Sequence, residues 1–251
     1  MTDNRVCYDA LIVQDSANYP ICRIPKKGTV VRSHRFDRYI ESNTDFSKFK
    51  YELEQFFSRN YIVSGDVRIN TGAVNRPFDL DLALIHRNNG GIRINIEVDE
   101  PYSFFSREAR HCIGEDILRD DYFVERGWVV VRFSEIQVHQ NIEGCLRYIA
   151  ELVSQIDINF EVPPSFLNYS PIKDDPLWDL VQAQKWENDS YRESYIEREL
   201  PTLRKSKKKL DWSLNAQELH EEKAVVRSFS GSMEFIKDHR NRHVRDPVSY
   251  T

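Results

Sequence analysis

Two stretches, Arg76 to Ile85 and Gly91 to Glu100, constrain the folding of this chain more than any other part of it. Each alternates with the period of two expected of a β-strand, in which successive side chains point to opposite faces. In the first stretch Phe78, Leu80, Leu82 and Leu84 share one face, and Asp79, Asp81 and Ala83 share the other. In the second, Ile94, Ile96 and Val98 lie opposite Asn95, Glu97 and Asp99. The run Asn88, Asn89, Gly90, Gly91 offers a tight turn between them, so the two strands are expected to pair. Up to four carboxylates then gather on one face. Carboxylates so close repel, residues 79 and 81 being about 7 Å apart along a strand. Either this is the solvated face of an ordinary antiparallel sheet, or a cation lies between the acids. The absence of interleaved Lys or Thr favours the cation, because like charges facing each other across a sheet are destabilising. With a shared cation, the carboxylates of Asp81 and Glu97 should converge to within about 5 Å.

The flanking sequence places this pair within a larger order. Phe46, Phe49, Leu53, Phe56 and Phe57 form an apolar stripe at helical spacing, which predicts a helix from Thr44 to Phe57 with Thr44 or Asp45 as N-cap. Tyr61 to Ile69 alternates as a strand. The second half of Ser106 to Arg126 reads as a helix ended by Gly127 at C′. Trp128 to Phe133 is apolar until Arg132, as in a strand buried on both faces, and should lie inside the sheet, parallel to one neighbour. Ile142, Cys145, Leu146, Ile149, Leu152, Val153 and Ile156 then repeat at helical spacing.

Helix, three antiparallel strands, helix, strand, helix is the order found in the restriction-endonuclease-like fold. Over residues 44–157 the chain resembles the PD-(D/E)XK nuclease superfamily, nearest the very-short-patch repair endonucleases and related small bacterial nucleases. The matching residues are Asp81, Glu97 with Asp99, His111, Asp116, Arg119 with Asp120, Gly127 with Trp128, and Arg132 with Phe133. The resemblance implies an α/β fold with a mixed sheet and hydrolysis of phosphodiester bonds in nucleic acid, DNA rather than RNA, in bacterial defence or repair. It also implies a Mg²⁺ or Mn²⁺ cofactor. Asp81, Glu97 and Asp99 would hold the metal, and His111 and Arg119 would join them as catalytic residues. Hard carboxylate ligands fit such ions better than they fit zinc. In one respect the pattern departs from the superfamily: Asp99 stands where its motif lysine is expected. Arg107, Arg110, His111 and Arg119 are the candidates to supply the missing charge, and Asp79 is either an outer contact or plain surface. Loss of the lysine also suits a second reading, a catalytically inactive nuclease-fold subunit that binds nucleic acid or assembles with a partner.

A chain of 251 residues with 40% hydrophobic and 30% charged residues is a soluble globular type with enough core to fold unaided. No run approaches the 18 or so apolar residues of a membrane span, so no membrane partner is expected. Cys7, Cys22, Cys112 and Cys145 lack metal-knuckle or redox spacing, which suggests reduced thiols in a cytoplasmic protein. A net charge of -5 does not announce a nucleic-acid binder. Basic clusters are nevertheless present around Arg32 and Arg35, at Arg107 and Arg110, and at Lys207 and Lys208, and each is either a phosphate contact or a solvated surface. The expected organisation is an extended segment over 1–43 packed on the core, the nuclease-like core over 44–157, a proline-rich linker over 158–175, and a basic helical appendage over 176–251. In that appendage Asp175 would cap and Pro176 would open a helix running to about Arg198, its inner face beginning with Leu177, Leu180 and Val181. The appendage helices offer a route to a homodimer or a partner protein.

Overall fold

The computed structural model describes residues 5–9, 17–32, 46–65, 67–69, 78–89 and 91–196. The part of the expected basic helical appendage beyond residue 196, and the basic residues Arg35, Lys207 and Lys208, lie outside them. The elements, in chain order, are β1 (Asn18–Tyr19), β2 (Ile21–Arg23), α1 (Ser47–Phe57), β3 (Tyr61–Ser64), β4 (Val67–Ile69), β5 (Phe78–Leu80), β6 (Leu82–His86) and β7 (Arg93–Asp99). They continue with α2 (Ile117–Val124), β8 (Val129–Ser134), α3 (Glu135–Gln140), α4 (Ile142–Ile156), a 3-10 turn (Pro164–Asn168), β9 (Asp175–Pro176), α5 (Leu180–Asn188) and α6 (Tyr191–Ile196).

A five-stranded mixed sheet in the order β2-β8-β7-β6-β3 forms the centre. β3, β6 and β7 run antiparallel in turn, and β8 lies parallel to β7. The crossover between β7 and β8 carries α2, the connection a parallel pair requires. β8 is buried along its whole length and sits between β7 and β2, as its valine run leads one to expect. One face of the sheet packs on α1 and α4 through Leu82, Leu84, Ile94, Ile96, Val98, Val131 and Phe133, which meet Phe49, Leu53, Ile149 and Val153. The other face carries Ala83, Ile85 and Val130, packed on Phe123 of α2 and on Trp128.

This second layer excludes the alternative of an ordinary solvated acid face on β7. Arg93, Asn95, Glu97 and Asp99 project from β7 toward it, and all four are buried. The alternation is real, but the polar side lies against a helix.

The two expected strands, Tyr61 to Ile69 and Arg76 to Ile85, are each broken. The register does not slip across the break: Val63 faces Leu84 before it and Val67 faces Leu80 after it. The bent hairpin thus leaves β3 and β6 in the main sheet and splits β4 and β5 off as a separate pair. At the bend Gly65 approaches the Asp81 backbone so closely that a Cβ would meet the Asp81 oxygen at 3.3 Å.

Helix α1 starts at Ser47, with Phe46 as N-cap and no side-chain cap; Thr44 and Asp45 lie outside the described residues. Gly127 follows α2 at φ +82, the left-handed conformation expected of a C′ glycine. Asp175 and Pro176 do not open a helix but form β9, paired with β1. The helix begins instead at Leu180, where the Asp179 side chain accepts the Gln182 N–H at 2.8 Å. Leu180 and Val181 are exposed, and the inner side of this region is Ala183 and Trp178, packed on Tyr19. A left-handed Ser190 (φ 54) ends the run before α6. Residues 1–199 form one compact unit. Among the described residues no helix is long and apolar enough to cross a membrane.

Candidate active site

Asp81 sits at the bend between β5 and β6, one residue beyond the Leu82–Ile96 pair of the β6–β7 ladder. Where the ladder would have continued, its Oδ2 accepts the Val98 N–H at 2.9 Å. That bond turns the carboxylate toward β7 and beside Glu97. Burial and the facing Glu97 charge raise the Asp81 pKa to about 7. Glu97 Oε1 accepts two hydrogen bonds of 2.7 Å, from Asn95 Nδ2 on its own strand and from Arg119 Nη2 on α2. The same Arg119 nitrogen donates to the Asp79 carbonyl, fastening β5 to β7. Among the described residues Asp81 Oδ1 and Glu97 Oε2 accept no hydrogen bond. Asp81 is half-buried, and Arg119 keeps 21% of its side chain exposed, so the pair opens to solvent on their side.

Asp99 and Asp79 do not join this pair. Asp79 is held by Arg68, its partner across the β4–β5 ladder, through bonds of 2.5 and 2.9 Å. Asp99 is buried and doubly bonded to Arg132, at 2.8 Å from Nε and 2.7 Å from Nη2. The Tyr19 hydroxyl donates to Asp99 at 2.9 Å. Arg132 also reaches Asp120 at 2.9 Å and Asp116 at 3.0 Å, so one buried guanidinium faces three carboxylates. His111, in a left-handed conformation (φ 53), brings Nδ1 to 2.8 Å from Asp116. Burial alone would depress the His111 pKa, but the Asp99 charge and the Asp116 bond drive it up to about 9. Burial works against ionisation of Asp116 too, but His111 and Arg132 override it and hold that carboxyl down at about 2. Burial raises Asp120 to about 6, despite Arg132.

Asp99, His111 and Asp116 place ligand atoms within 4.8 Å of one another, which is a geometry a metal ion can use. The centre of that triad is already filled by a cation. Arg132 Nη2 lies 2.7 Å from Asp99, 3.0 Å from Asp116 and 3.2 Å from His111 Nδ1. The Arg132 guanidinium and the protonated His111 already serve these carboxylates, so a metal ion would have to displace both charges. At the Asp81–Glu97 pair one oxygen of each carboxylate accepts no hydrogen bond among the described residues, and Arg119 is the guanidinium that meets it, so these two oxygens are the ones that could hold an ion.

Of the expected phosphate contacts, Arg107 is bound by Glu187 and Glu193, and Arg110 by Glu100 at 2.6 Å. Both charges are thereby neutralised. Arg32 is exposed. Of the expected replacements for the lysine, Arg119 meets Glu97, His111 faces the Asp99 cluster, and Arg107 and Arg110 point to other acids. Asn95 and Tyr19 contribute side chains to these networks without having been singled out in the sequence. The lone charge of Arg132 in a valine run is a signal that it needs buried partners. Matched against protein-family models, curated proteins and solved structures, the chain finds no counterpart.

Proposed function

We propose that this chain is a metal-dependent nuclease on a restriction-endonuclease-like core, hydrolysing phosphodiester bonds in DNA. The observation that carries the reading is the pairing of Asp81 with Glu97 at the bend of the sheet, one oxygen of each left over. Those oxygens would hold Mg²⁺ or Mn²⁺, hard cations that take carboxylate ligands. The ion, when bound, supplies electrophilic activation of the phosphodiester and of the attacking water. Asp81 gives up its proton on taking its place as a ligand. Arg119 holds Glu97 in one orientation and carries the positive charge that the motif lysine carries elsewhere. Asp99, in that lysine's position, neither binds the ion nor orients water, since Arg132 and Tyr19 engage its carboxylate.

The same engagement of Asp99 favours the second reading, a subunit of this fold that binds nucleic acid without cutting it. A melting titration separates the two. An ion at a hundred times its Kd adds about 2.7 kcal/mol of stability, or about 5–11 °C in a unit of this size. The nuclease reading requires that shift with Mg²⁺ or Mn²⁺ and its loss in Glu97→Ala. A wild-type chain that binds DNA with no ion-induced shift is the non-catalytic subunit.

A further inference from the structure

Asn95 lies in the middle of β7 with no exposed surface, beside Ala83 on one neighbouring strand and Val130 on the other. An amide in that place requires a reason, because a buried polar atom left without a partner costs about 1–3 kcal/mol. Half of the amide has one: Nδ2 donates to Glu97 Oε1 at 2.7 Å. The other half does not, since Oδ1 has no partner among the described residues. Valine or leucine would fill the same space on a strand of isoleucines and valines without that cost.

The direction of the bond supplies the reason. Glu97 and Asn95 are two apart on β7 and therefore share a face. Arg119 comes to the same Oε1 from α2, also at 2.7 Å. Two donors arriving at one oxygen from two different elements fix the rotation of the carboxylate about its terminal bond. One donor alone leaves it free to swing. With Oε1 pinned, Oε2 has a defined direction, and it is the oxygen that the Asp81–Glu97 pair has left for a cation.

We propose that Asn95 is a positioning residue which, together with Arg119, aims Glu97 Oε2 at the bound divalent cation. This rests on the reading of Asp81 and Glu97 as ligands. Contacts that orient a metal ligand are worth about 10- to 100-fold in metal affinity. Asn95 does not touch the ion or the DNA. Its orphaned Oδ1 is the stability cost of keeping that donor in a dry layer.

The test uses the full chain with Mn²⁺ as probe, followed by the electron paramagnetic resonance of the bound ion and by ion-free melting. Asn95→Leu keeps the volume and removes the donor; Asn95→Ala cannot clash and serves if the leucine variant fails to fold. Either variant should bind Mn²⁺ about 10- to 100-fold more weakly and broaden its spectrum. In cleavage at fixed subsaturating Mn²⁺, kcat should fall while KM for DNA stays. The leucine variant should melt, ion-free, at or above the wild-type temperature, because the unpaired oxygen is gone. Wild-type affinity and line shape in both variants overturn the inference alone. So does a loss of affinity matched by a fall in ion-free melting in both, which marks a merely structural amide. No Mn²⁺ binding by the wild type overturns the nuclease reading and the inference together.

Discussion

Replacing Arg132 with Met tests the electrostatics of the interior most severely. The side chain is 1% exposed and serves Asp99, Asp116 and Asp120 at 2.7–3.0 Å. Methionine keeps much of its length but leaves Asp99 and Asp120 buried without their counter-charge. Removing one partner of a buried pair costs about 3–5 kcal/mol. Three carboxylates share this partner, which points to the upper part of the range; proton uptake by Asp120, already raised to about 6, limits the loss. A loss of about 4 kcal/mol lowers the melting temperature by about 8–16 °C in a unit of about 200 residues. The assay is thermal denaturation at pH 5 and pH 7. In the variant the orphaned carboxyls hold protons more tightly in the folded state than in the unfolded one, so its stability falls as pH rises. The deficit should therefore be larger at pH 7 than at pH 5. A loss under about 1 kcal/mol, or a deficit independent of pH, would refute the reading of Arg132 as the counter-ion of this cluster.

Three further outcomes follow from the same contacts. His111→Ala should destabilise the protein at pH 7; because the folded histidine holds its proton up to about 9, the contribution is full below its ordinary value of 6.5 and gone above about pH 9, as paired melting curves will show. Asp81→Asn should be more stable than wild type at pH 8 by on the order of 1 kcal/mol, with little difference at pH 4, since raising the Asp81 pKa to about 7 makes the ionised carboxylate a liability above that pH. In wild type the same proton must leave before an ion binds, so Mn²⁺ affinity measured by calorimetry should climb as pH rises through about 7.

Much of the fold could be read because its signals are local. The valines of β8 and the apolar repeat of α4 depend on burial alone, and burial leaves its period in the sequence. The polar face of β7 could not be read in the same way. Asn95, Glu97 and Asp99 alternate as a solvated strand would, and their partners Tyr19, Arg119 and Arg132 lie 80, 22 and 33 residues from the acids they bind. Period two reports that two faces differ in polarity, not that one of them meets water. The break at Asp81 is likewise a tertiary event: Leu82 onward pairs with β7, Leu80 backward pairs with β4, and nothing local in either run marks the change. Asp175 and Pro176 carry a helix-start signature, yet the extended β1 takes them as a strand partner and Asp179 caps the helix instead.

Cleavage of duplex DNA by the full chain, with and without Mg²⁺ and beside Glu97→Ala, is the decisive measurement of whether Asp81 and Glu97 serve a nuclease. Cutting should need the ion, stop with a chelator and fall by orders of magnitude in the variant, which should still fold but melt below the wild type without the ion, because Asn95 Nδ2 and Arg119 lose their shared acceptor. Undiminished cutting by Glu97→Ala, or cutting that proceeds in chelator, would contradict that role.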